Sequence, residues 1–143
     1  MARGRPRAQA AAIPWRRSAE GVIEVLLVST RSGRWTVPKG GVKRGSSPAL
    51  TARDEALEEA GILGRVHAAP LGTTRFNKRG RTHEVVGFAL EVTRLLPRWE
   101  EEDRRLRVWV PLGEAAGLVA RPALAELVIA LRRRFRVGVL RVA

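Results

Sequence analysis

Apolar positions along this chain fall into two kinds of pattern. Ala8–Trp15 and Val22–Ser29 are nearly continuous apolar runs separated by the polar turn Arg16–Gly21. Such runs predict strands buried on both faces, as in a sheet covered by helices. Trp35–Val37 predicts a short strand stopped by Pro38. Arg65–Arg75 and Thr82–Thr93 predict two more strands joined by the basic turn Phe76–Arg81, and Arg105–Val110 alternates charged and apolar residues as a half-exposed strand does. Helical signals lie between these runs. Ser46 or Ser47 is suited to an N-cap, Pro48 to the first turn, and Gly61 to a left-handed C-cap after Ala60. Pro111–Leu118 predicts a short helix and Pro122–Phe135 an amphipathic one, whose RRRFR end suits the helix dipole. The closing VGVLRVA predicts an extra strand or an apolar tail. The expected architecture is α/β, a mixed sheet sandwiched by helices. Residues 1–7 are expected to form a flexible basic arm and 8–143 one domain.

Length and composition agree with this expectation. A chain of 143 residues with 45% hydrophobic content suits one globular core. No run approaches the roughly 18 apolar residues needed to cross a bilayer, and the N-terminus lacks the apolar stretch of a signal peptide. The chain has no cysteine, so disulfides and thiolate metal sites are excluded and a cytoplasmic setting is expected. Charge changes the picture more. The net charge is +13, and of the 27 basic residues only Lys39, Lys43 and Lys78 are lysines. Such a surface attracts polyanions, and arginine forks bind phosphate oxygens bidentately. Polyphosphorylated small molecules fit this surface; nucleic acid also fits but is not favoured. His67 and His83 are single histidines in strand-like segments and receive no role. The four tryptophans are too scattered for a base-stacking stripe.

The candidate chemistry lies in Gly40–Ile62, GGVKRGSSPALTARDEALEEAGI. Glu55, Glu58 and Glu59 are spaced i, i+3 and i+4, which puts three carboxylates on one helix face. Their mutual repulsion would be relieved by a hard divalent cation such as Mg2+ or Mn2+. Gly40 and Gly41 open a glycine-rich loop whose backbone groups can meet a phosphate or a metal.

This stretch resembles the signature of the Nudix hydrolases: G, five residues, E, seven residues, then R-E-U-x-E-E-x-G-U, with U aliphatic. Gly40, Glu55, Ala56, Glu58, Glu59, Gly61 and Ile62 fill seven of the nine fixed positions. Ser46 replaces the loop glutamate and Asp54 the arginine. Outside the signature, RWTVPKGGV, NKRGRTHEVVGFALEVTRLL, RRLRVWV and Ala120-Arg121-Pro122 are similar to the branch that hydrolyses diadenosine and diphosphoinositol polyphosphates. The likeness spans roughly Ala8 to Arg134.

That resemblance implies a Nudix-type α/β/α sandwich and metal-dependent hydrolysis of a phosphoanhydride. It implies metal ligation by Glu55, Glu59 and the backbone carbonyl of Lys39, with Glu58 as general base. Arg31, Lys78, Arg121 and Arg105 fall where related enzymes present cations to substrate phosphates. The two departures motivate a second expectation, an impaired Nudix domain that binds nucleotide or RNA. Asp54 would then need either its neighbour Arg53 as a partner or a place as an outer metal ligand.

Overall fold

The computed structural model describes residues 4–136. Eight strands form one sheet: β1 (Arg7–Arg17), β2 (Ile23–Ser29), β3 (Trp35–Thr36), β4 (Lys39–Gly41), β5 (Ile62–Val66), β6 (Gly72–Lys78), β7 (Arg81–Leu95) and β8 (Arg107–Pro111). Three helices accompany them: α1 (Pro48–Ala60), α2 (Leu112–Leu118) and α3 (Pro122–Arg136). The central path runs β3-β2-β1-β7-β5, with β8 on β2, β4 on β1 and β6 on β7. β1 and β7 run parallel from Arg7↔His83 to Trp15↔Glu91, while every other named pairing is antiparallel. The sheet is therefore mixed, as expected.

The continuous apolar runs are explained by two cores, one on each face. Successive β1 side chains alternate between them. Ala10 and Ala12 pack with Leu26, Val28, Phe88 and Leu90 against Ala52, Ala56 and Ala60 of α1. Ala11, Ile13 and Trp15 pack with Val25 and Leu27 against α2 and α3, through Leu112, Ala115, Leu124, Leu127, Val128 and Leu131. Alanines on both sides of the α1 contact bring the helix close to the sheet. On the opposite face a side chain on Gly87 would strike Leu127, so α3 is seated directly on β7.

Several boundaries differ from the sequence expectation. The strand expected over 65–75 is two strands, β5 and β6. Between them Pro70 has no N–H to give to the ladder, while His67 N and Leu71 N still donate to Ala89 and Gly87 of β7. Gly40 and Gly41, expected to open a loop, instead belong with Lys39 to the short strand β4, paired with β1. The expected turn at Phe76–Arg81 contracts to two residues, Arg79 (φ 52°) and Gly80 (φ 75°). Positive φ at both positions is the type I′ geometry that matches strand twist. The expected turn Arg16–Gly21 also shortens, because β1 continues through Arg17 and Arg16 pairs with Glu24 at 2.9 Å. Of the expected basic arm, Arg7 belongs to β1 and residues 1–3 lie outside the described part. VGVLRVA also lies outside it. No helix among the described residues is long and apolar enough to cross a membrane.

Candidate active site

The helix that carries the three glutamates is fixed at both ends. Ser47 caps α1, its Oγ accepting from Leu50 N at 3.1 Å, and Pro48 starts the helix without an unpaired N–H. Gly61 ends it at φ 67° with its N–H on Leu57 O. The segment after β7 then straps this end. Arg107 donates to Ala60 O at 2.8 Å and to Leu96 O at 2.7 Å while lying 3.8 Å over the Trp99 ring. Glu101 N donates to Glu58 O at 3.1 Å. Residues 58–60 thus sit on a braced helix end, the kind of rigid support a reacting constellation needs.

β4 presents its backbone to this helix. Ala12 N donates to Pro38 O, and Val42 N to Ala8 O. Antiparallel bonding alternates along a strand, so the N–H and C=O of Lys39 point away from β1. The N–H is accordingly found on Glu59, 3.4 Å from Oε1. The Lys39 carbonyl shares that direction. Next along, a Cβ on Gly40 would overlap the Glu55 carboxylate, so this glycine leaves the room in which that carboxylate lies against the strand.

Glu59 is the electrostatic centre of the site. It is 5% exposed. Burial first, and then a hydrogen bond shared with Glu55, raise its carboxyl from 4.5 to about 9, although Arg105 opposes the shift. Burial and the neighbouring Glu55 also raise Glu58 above the usual carboxylate range. Arg105 lies 3.3 Å from Glu59 Oε1 through Nη2, donates through Nε to Glu101 at 2.9 Å and through Nη1 to Ser29 O at 2.9 Å.

A cleft of about 900 Å³ opens beside Glu59. Its wall holds eight basic residues, Arg31, Arg34, Lys39, Lys78, Arg79, Arg104, Arg105 and Arg121, against two acidic ones, Glu59 and Glu101. The four cations expected from the sequence, Arg31, Lys78, Arg105 and Arg121, are thus together, and Lys39, expected there through its carbonyl, lies among them. Arg34, Arg79, Arg104 and Glu101 were not singled out; nothing in an arginine-rich sequence separates them from solvated surface arginines. Gly40, Gly41, Glu55 and Glu58 are not in this wall but adjoin it through Lys39 and Glu59. Arg121 is held flat by a stack: its guanidinium carbon lies 4.0 Å from the Phe76 ring, which in turn stacks on His83 at 5.0 Å and 6°. Burial and the nearby cations Lys39, Arg7, Lys78 and Arg81 lower the His83 pKa. Burial also lowers that of Lys39, with Glu59 opposing.

The donor chemistry fits a hard divalent cation: two carboxylates, Glu55 and Glu59, beside a main-chain carbonyl with no side chain at residue 40 to fill the space. Among the described residues no three acidic or histidine side chains are already gathered around one point, and Glu59 Oε1 is engaged by Lys39 N and Arg105. The departures from the signature lie outside this cluster. Asp54 is exposed and pairs with Arg53 at 3.7 Å, the first of the two compensations considered. Ser46 bonds only within its own turn, to Lys43 O and Ser47 O.

A mixed sheet between helix layers, with paired carboxylates at the end of α1 beside a cation-walled cleft, is the Nudix arrangement. The NUDIX domain pattern matches residues 5–131, and the chain belongs to that family. Nudix hydrolase 4 of Arabidopsis thaliana is 38% identical over 97 residues, 66% of this chain and 46% of that protein. Diphosphoinositol polyphosphate phosphohydrolase 2 of Rattus norvegicus is 36% identical over 96 residues, 64% of this chain and 52% of that protein. The chain spans about half the length of the curated relatives it matches. Among solved structures, a binary complex of C. elegans Ap4A hydrolase superposes with a TM-score of 0.77 at 23% identity, covering 92% of this chain and 98% of that one. That last likeness concerns the fold.

Proposed function

We propose that this protein is a divalent-metal-dependent pyrophosphohydrolase of polyphosphorylated small molecules, with diadenosine polyphosphates and diphosphoinositol polyphosphates as its substrate candidates. One observation carries the reading: a cleft with eight cations in its wall ends on a buried glutamate that adjoins a second carboxylate. The cations match a polyphosphate, and the carboxylates match the hard cation such a substrate brings. The names of the rat relative and the worm structure supply the two substrate candidates.

The barrier to hydrolysis lies in bringing water to a crowded anion. Bound at Glu55, Glu59 and the Lys39 carbonyl, Mg2+ or Mn2+ would neutralise phosphate oxygens and lower the pKa of the attacking water. Glu58 takes the proton from that water. General-base assistance of this kind contributes typically about 10²–10⁴-fold. Arg31, Lys78 and Arg121 hold the remaining phosphates in the cleft, and the Phe76 platform keeps the Arg121 guanidinium from having to be ordered on binding. Gly40 leaves room for the Glu55 carboxylate beside the β4 backbone.

The test is hydrolysis of a panel of nucleotide and inositol polyphosphates, with and without Mg2+ or Mn2+, with the products identified. Metal-dependent release at a phosphoanhydride supports the reading. No turnover, together with salt-sensitive RNA binding, would replace it by the binding-domain reading that Ser46 and Asp54 motivate.

A further inference from the structure

We propose that Arg105 is a placeholder cation: it occupies Glu59 in the metal-free protein and competes with the divalent ion for that carboxylate. The inference rests on the metal-dependent reading above. It follows from where the guanidinium is. All three of its nitrogens are used by the protein, on Glu59, Glu101 and Ser29 O. It is largely covered, at 21% side-chain exposure. α1 itself offers the inward carboxylates no cation, because its single basic residue, Arg53, is exposed and paired with Asp54. Among the described residues Arg105 is the one basic side chain within ion-pair distance of Glu59.

The oxygen it holds, Oε1, is the one that also accepts from Lys39 N. A divalent ion seated between Glu59 and the Lys39 carbonyl would therefore meet Arg105 at close range. Such an ion adds at least one net positive charge to the site, even where it expels a proton. An arginine beside it opposes that addition in either case. Arg105 thus acts through Glu59 as a positioning residue, keeping the carboxylate in place until the metal takes over. This differs from a contact to substrate phosphate, which would leave metal binding without substrate unaffected.

The test is Mn2+ binding to the full chain without substrate, followed by titration calorimetry and by loss of the free-ion resonance signal. Arg105→Gln should bind Mn2+ about tenfold more tightly than the native protein, the order expected for removing one charge at this range in a partly screened site. Its metal-free melting temperature should fall. Arg105→Lys keeps the charge and should bind within about threefold of the native protein. A double-mutant cycle with Glu101→Gln separates the charge from the freed Glu101: the gain should persist in that background. Unchanged or weaker Mn2+ binding in Arg105→Gln overturns the proposal, as does equally tight binding in Arg105→Lys or loss of the gain when Glu101 is replaced. A substrate KM that rises with phosphate number, while Mn2+ binding stays constant, makes Arg105 a phosphate contact instead. A native protein that binds no Mn2+ and hydrolyses nothing would sink the metal-dependent reading itself. A native protein that does both, with no tightening in Arg105→Gln, would sink only the placeholder.

Discussion

Replacing Glu59 by glutamine should stabilise the metal-free protein at neutral pH while abolishing its response to metal. In the unfolded chain this carboxyl ionises near 4.5, whereas in the folded protein it holds its proton until about 9. Folding is then penalised throughout the interval, because the unfolded state gains from ionisation and the folded state does not. The sign is that of an acid raised by burial: the penalty is absent below 4.5, grows as pH rises, and levels off above about 9. At pH 7 it amounts to about 3 kcal/mol, taking roughly 1.4 kcal/mol for each pH unit above 4.5. Glutamine ionises in neither state. It keeps an oxygen for Lys39 N and Arg105 and an amide for Glu55. The figure is a ceiling, equivalent to a rise of roughly 6–12 °C for a domain of this size. Thermal melts followed by circular dichroism at pH 4, 7 and 9 in EDTA would show it. The gain should be near zero at pH 4 and present at pH 7. Millimolar Mn2+ should then raise the native melting temperature and leave the variant unmoved. An equal gain at pH 4, or a loss at pH 7, would refute the reasoning.

Three other substitutions probe separate parts of the site. Glu58→Gln should lower kcat by about 10²–10⁴-fold with Mn2+ affinity held within about threefold, since it removes a proton acceptor and not a ligand; steady-state rates and calorimetry read the two. Gly40→Ala should weaken Mn2+ binding by about tenfold or more, because its methyl displaces the Glu55 carboxylate. The displaced group is the movable end of a side chain, so the melting temperature should shift little. Phe76→Leu should raise the substrate KM about threefold to fivefold with kcat nearly preserved, the effect of losing one partly exposed cation–π platform under Arg121.

What could be read in the sequence was what local rules control. Ser47, Pro48 and Gly61 mark α1 because capping and left-handed geometry are decided within a few residues. The glutamate spacing is visible for the same reason. The parallel pairing of β1 with β7 joins residues far apart in the chain, Arg7 with His83, and no periodicity carries it. β4 is hidden for a related reason: Lys39-Gly40-Gly41 has poor strand propensity and is extended by β1 and by the Glu59 bond. The split at residues 67–71 was legible in Pro70, whose missing N–H outweighs the β-rich flanks. In the site, the glutamates and four of the cleft's cations, Arg31, Lys78, Arg105 and Arg121, could be named from sequence. The Phe76–Arg121 stack and the three-way hold on Arg105 could not, since each joins elements distant in the chain.

Two opposed charges share the site, and their relative strengths decide its logic. Glu59 sits in the wall of a cleft with eight basic residues, one of them 3.3 Å away, yet its carboxyl is raised and not lowered. Burial and the adjoining Glu55 therefore outweigh the cations, most of which lie in the solvent-filled part of the cleft where their fields are screened. The cations likewise repel one another: Lys78, Arg121 and Arg105 all help to lower the Lys39 pKa. Each half of the site is thus strained by its own like charges and only partly relieved by the other, through Arg105 acting on Glu59 and Glu59 on Lys39. A free anion satisfies the cleft but not the glutamates; a free divalent ion satisfies the glutamates but faces the cleft. On the proposed reading, a polyphosphate carrying its own divalent cation would relieve both at once, and the protein should bind it more tightly than a simple phosphate or a bare metal.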